Sequence, residues 1–152
     1  MTSTPAIWNT PTSYTAAFGA EINGLPVSNT AISSLVVSNT SNLSTDGWIS
    51  WSVSGTAVSG VSYLGFYLLP LNADGITYGD NTASGTPTPD SQYAVGTAAV
   101  QPPVSGNIVG SLYIGAIPPT AFKLSVYNGT SGPFAPSGNA IYFASNAINL
   151  AG

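Results

Sequence analysis

Apolar and polar residues alternate along this chain in short runs with a period of two. The clearest run is Gly47–Ser54, where Ile49, Trp51 and Val53 fall on one side and Ser50, Ser52 and Ser54 on the other. That is the signature of an antiparallel strand with one buried face. Phe122–Tyr127 repeats it, with Phe122, Leu124 and Val126 facing inward and Lys123 and Ser125 outward. Tyr63–Leu69 is apolar on both sides, which predicts a central strand. Further strands are expected near Ala31–Ser38, Ile108–Ile114, Ile141–Ala144 and Ala147–Leu150. Gly, Pro, Asn, Asp and Ser punctuate the runs, and no window of a dozen residues carries a helical period.

Six to eight short strands of this kind predict an all-β chain, an antiparallel β-sandwich with a jelly-roll-like arrangement. Residues 27–152 are read as its single domain. Residues 1–26 hold Pro5, Pro11 and Pro26 with Trp8, Tyr14 and Phe18 between them, and are read as an extended N-terminal arm. The longest connection is Asn72–Val104, rich in Gly and Pro and expected to be a functional or docked loop.

Charge narrows the function classes. Charged residues are 4% of the chain, against about 25% in an average soluble domain. Lys123 is the single basic residue, and the acids are Glu21, Asp46, Asp74, Asp80 and Asp90. One lysine cannot neutralise a row of phosphates, so neither nucleic acid nor an anionic membrane surface is an expected partner. With 43% hydrophobic and 11% aromatic residues, the chain has enough apolar material to fold. The first residues show no basic, apolar leader, so no secretory signal is expected. The longest apolar stretch, Tyr63–Leu71, is too short to span a bilayer.

Reactive groups are scarce. With no histidine and no cysteine, the usual imidazole-assisted serine and thiol arrangements are excluded. Lys123 sits on the outward side of its strand, where an amine is solvated and protonated. Asp74 and Asp80 could form a glycosidase-like carboxylate pair, but Asp74-Gly75 and Gly79-Asp80 are ordinary turn pairs. The Asn72–Asn81 loop is rich in oxygen ligands and is the one place where calcium could bind, although it lacks the closing glutamate of a calcium loop. No catalytic residue, cofactor or metal is expected. The Asn-x-Ser/Thr triplets at Asn39, Asn42 and Asn128 are what a chain so rich in Asn, Ser and Thr contains by chance. Trp51 belongs with Ile49 and Val53 in the core. Trp8, Tyr14, Phe18 and Trp48 are the aromatics expected to meet a partner.

Three segments carry a resemblance. They are LGFYLLPLNADGITYGD at 64–80, IPPTAFKLSVYNGTSG at 117–132 and PSGNAIYFAS at 136–145, together over a quarter of the chain. The first joins an apolar strand to an Asp-Gly turn, and the second runs from two prolines through a strand into an Asn-Gly turn. In these segments the chain resembles small virion structural proteins of tailed bacteriophages. The resemblance implies a β-sandwich similar to capsid decoration and cement proteins, binding the major capsid protein and copies of itself as a homo-oligomer on the particle. It implies assembly in the host cytoplasm and residence in the virion. A receptor- or carbohydrate-binding module of a tail or fibre is the alternative. No functional residue carries over, because none of the segments is a catalytic motif.

Overall fold

A strand with one apolar side is stable only when a second layer covers that side. The chain meets this need by rolling up on itself. A computed structural model describes residues 6–8, 13–41, 43–54, 62–81, 84–85, 88–100, 106–146 and 148–150, with the backbone alone for 6–8 and 148–150. Its strands are β1 (Ala6–Trp8), β2 (Thr15–Ala16), β3 (Thr30–Ile32), β4 (Asp46–Ser54), β5 (Tyr63–Pro70), β6 (Ala94–Ala99), β7 (Asn107–Ile114), β8 (Phe122–Gly129), β9 (Ala140–Asn146) and β10 (Ile148–Leu150). Two short 3-10 turns, Ala20–Ile22 and Ser91–Tyr93, are the only helical elements among the described residues.

All pairings are antiparallel, and they nest: β1 with β10, β2 with β9, β3 with β8, β4 with β7, β5 with β6. The chain is therefore one long double ribbon, closed between β5 and β6. Wrapping the ribbon brings β9 beside β4 and β8 beside β5. Two four-stranded sheets result, β2-β9-β4-β7 and β3-β8-β5-β6. This is the strand order of a jelly roll, and the expected all-β sandwich is what forms.

The core lies between the sheets. Ile49, Trp51 and Val53 of β4 and Ile141 and Phe143 of β9 meet Leu64, Phe66 and Leu68 of β5 and Phe122, Leu124 and Val126 of β8. Two aromatic contacts cross the gap: Trp51 to Phe66 at 5.2 Å and Phe122 to Phe143 at 5.5 Å between ring centroids. β4 follows the alternation expected of it at every position.

Several expectations change. Residues 13–26 are no free arm: β2 adds to the first sheet, and Ala17, Phe18, Ile22 and Leu25 fill the core. The connection expected over Asn72–Val104 contains β6, which its small residues Ala94, Gly96, Ala98 and Ala99 disguise. β3 stops at Ile32, and Val37 returns only as an isolated bridge to Phe122. β8 runs on through Asn128 and Gly129, where a turn was expected. Ser125 does lie on the outer side of β8 but is fully buried, with Ile32 and Tyr67 on either side of it in register.

Candidate interaction faces

Each sheet turns its second side outward, and aromatic residues gather on both. On the first sheet, register sets Trp48 opposite Tyr113, Ser50 opposite Ser111 and Ser50 opposite Tyr142. Trp48 and Tyr113 meet edge to face with centroids 5.3 Å apart. Tyr14 stands one residue before β2, where Ala16 pairs with Tyr142, so its alternation adds it to this face. Tyr14 is 49% exposed and Tyr113 48%. Tyr113 reaches the Asp46 carboxylate; that hydrogen bond, then burial, then the carboxylate's charge push its phenol above the ordinary range. Asn146 Nδ2 donates to Asp46 Oδ1 at 2.6 Å, which holds the carboxylate in place.

The second sheet carries a tyrosine cluster, Tyr63 and Tyr67 of β5 and Tyr127 of β8. Register sets Gly65 opposite Tyr127 and Tyr63 opposite Gly129. These glycines are seats for rings. A Cβ at Gly129 would stand 2.8 Å from Tyr63 ring carbons, and one at Gly65 would stand 3.5 Å from the Tyr67 ring. With no side chain on these glycines, the Tyr63 and Tyr67 rings come close to the backbone there; Tyr63 stays exposed while Tyr67 and Tyr127 are half-buried. Tyr63 and Tyr127 rings lie 5.7 Å apart at 31°. Burial, the charge Tyr127 would carry, and their mutual hydrogen bond raise the Tyr63 phenol. Burial and both neighbouring phenols raise Tyr67. Strand alternation at 63 and 67 was visible in the sequence, but Tyr127 joins them only through the β5–β8 register.

Two of the four expected contact residues, Tyr14 and Trp48, therefore share one outer face. Phe18 does not: at 5% exposure it is a core residue, and its place between the sheets removes it from any partner. The Trp8 backbone pairs with Ile148 in the β1–β10 ribbon, and its side chain lies outside the described residues.

The candidate chemical sites resolve into local structure. Asp74 Oδ1 accepts the Ile76 and Thr77 N–H groups, and Asp74 Oδ2 accepts the Thr77 hydroxyl at 2.6 Å. The Thr77 hydroxyl first, then the two N–H groups, hold this carboxyl below its usual range. A general acid needs the opposite shift. Asp80 Oδ2 accepts the Asp90 N–H at 2.8 Å. No group of three potential metal-binding side chains occurs among the described residues. Lys123 is half-buried, with its amine 4.9 Å from the centre of the Tyr78 ring. Asn39 and Asn128 are buried, so neither offers its amide to a glycan; Asn42 lies outside the described residues.

Between the ends of β5 and β6 and the β7–β8 connection runs a groove of about 400 Å³, lined by Leu68, Pro70, Tyr93, Val95, Ile117 and Pro118. Its walls are mostly apolar, with Gln92 and Tyr93 as the polar side chains, and carry no carboxylate or amine. No protein-family model, no curated protein and no solved structure matches this chain.

Proposed function

We propose that the protein is a virion structural protein of a tailed bacteriophage, of the capsid decoration or cement type, docking on the major capsid protein through the outer face of its first sheet. The observation that carries this reading is the composition of that face. Tyr14, Trp48, Tyr113 and Tyr142 stand among Ser50, Ser52 and Ser111, with Asp46 as the one charge. Exposed aromatics on a nearly uncharged surface suit a contact made by apolar burial and hydrogen bonds. Jelly rolls recur in viral shells, and that analogy of fold points the same way without deciding function.

Quantitative mass spectrometry of purified particles tests the reading. Copies in the hundreds, comparable with the major capsid protein, support it; absence from the particle ends it. Attachment through apolar contacts also survives a wash in about 1 M NaCl, because salt screens charges and not apolar burial. Release by that wash counts against it.

The tyrosine cluster favours a second reading, a saccharide-binding module of a tail or fibre. Three phenols clustered on one outer face, with no charge among them, suit a neutral, hydroxylated ligand. Calorimetric titration with neutral host polysaccharide, in wild type and in Tyr63→Ala, separates the readings. A flat wild-type titration removes the second.

A further inference from the structure

A two-sheet sandwich has four edges, and each leaves backbone groups unpaired unless something prevents it. Three edges here are managed. β2 and β3 are two and three residues long. β6 is broken by a register shift between Phe66 and Tyr67 of its partner, and bulges of this kind blunt an edge. β7 has none of these protections: it is eight residues long and regular, and it contains no charge and no proline.

The direction of its free groups follows from the ladder. Ala17 N–H donates to the Ile141 carbonyl, so Ile141 faces β2 and Tyr142 faces β4. Ser50, the partner of Tyr142, then faces β9, and its neighbour Trp51 faces β7. Trp51 pairs with Gly110, so Gly110 faces β4. Along β7 it is therefore Val109, Ser111 and Tyr113 that point their N–H and C=O groups off the edge. These residues also carry their side chains on the outer face, and Val109 is 70% exposed.

We infer that β7 pairs with β7 of a second copy, antiparallel about a twofold axis at Ser111. In that register Ser111 meets Ser111, and Val109 of each copy meets Tyr113 of the other. About six backbone hydrogen bonds close, since each of the three residues donates once and accepts once. A β-branched side chain set against an aromatic ring is a favourable cross-strand pair. The edge complements itself, each copy offering the β-branched side chain that the other's ring takes, so a second copy is the occupant, and charge does not oppose it. Asp46 is the one acid in the first sheet, and it lies past the Tyr113 end of β7, beside the Gly47–Ile114 pair. The twofold therefore sends the two carboxylates to opposite ends of the seam. Two first sheets become one continuous eight-stranded sheet, with both aromatic faces on the same side. The pairing is a property of the isolated chain and is independent of the virion reading.

Sedimentation equilibrium on the purified chain tests it, with three single variants. Val109→Lys places a charge on the seam, and Ser111→Lys sets two lysines against each other on the axis. Both sites are exposed, so folding is retained, and a thermal melt verifies this. Ile76→Lys, at an exposed site in the Asn72–Asn81 loop, is the control. At about 100 µM, wild type and the control sediment as dimers and both seam variants as monomers. Amide exchange at Val109, Ser111 and Tyr113 slows as wild-type concentration rises. A monomeric wild type overturns the inference and leaves the edge to a strand from another protein. An oligomer that both seam variants leave intact overturns it too.

Discussion

Replacing Asn128 by alanine should remove about 2–3 kcal/mol of stability, and the structure shows where the loss arises. Asn128 is fully buried at the end of β8. Its Nδ2 donates to the carbonyls of Leu25, Pro26 and Gly132, and its Oδ1 accepts the N–H and hydroxyl of Thr130. Not all of these partners are stranded when the amide goes. The Leu25 carbonyl still accepts Phe134 N–H, and the Gly132 carbonyl still accepts the Thr130 hydroxyl. The Pro26 carbonyl belongs to an exposed residue and turns to water, but the buried Thr130 N–H is left with nothing. One buried orphan at ~1–3 kcal/mol, with the net ~1 kcal/mol of the lost Pro26 bond, gives the figure, which lowers the melting temperature by roughly 5–10 °C in a chain of this size. Urea unfolding of wild type, Asn128→Ala and Asn128→Leu checks it. Leucine restores volume but no hydrogen bond, so it should not recover the loss. A cost under ~1 kcal/mol for alanine, or a leucine variant as stable as wild type, would refute the reasoning.

Gly110→Ala should destabilise the core, because a Cβ there collides with the six-membered ring of Trp51, which is itself pinned against Phe66; about 1–3 kcal/mol is expected from thermal melts. Asp74→Asn should matter less in acid. The folded carboxyl is depressed, so its contribution is present above the unfolded value near 4 and disappears as pH falls through the folded one; the gap in melting temperature between variant and wild type should therefore narrow below about pH 4. Native protein should resist trypsin. Lys123 is the only site for that protease; it is the second residue of β8, paired with Leu69 of β5 and next to the Val37–Phe122 bridge, so cleavage by gel should begin only in denaturant.

Where burial follows from local alternation, the sequence is readable. Ile49, Trp51 and Val53 announce themselves, and the two apolar sides of Tyr63–Leu69 mark a strand that is indeed flanked by β8 and β6. Where burial depends on a distant partner, it is not. Phe18 looks like an arm residue because nothing near it reveals that Thr15–Ala17 bond to β9 and that Leu25 is tied down by an amide more than 100 positions away. β6 has one large apolar side chain, Val95, and its strand is held by the backbone ladder to β5. The interaction faces behave the same way. Trp48 was legible as an outward aromatic from the alternation of β4, whereas its neighbours Tyr113 and Tyr142 meet it only after the ribbon has rolled.

The Asn128-Gly129 pair has one more consequence, for the ageing of the molecule. An asparagine followed by glycine is the dipeptide most prone to deamidation, in which the next backbone nitrogen attacks the side-chain carbonyl carbon and expels ammonia. That attack requires a pliant backbone and a free amide. Here the backbone is stretched in a ladder opposite Leu64 and Tyr63, and the amide is held from both ends. Cyclisation is barred while the fold is intact and becomes open once the chain unfolds. A mass gain at this one residue is thus a permanent mark of past unfolding, so the fraction of marked molecules in a sample records the time it has spent unfolded.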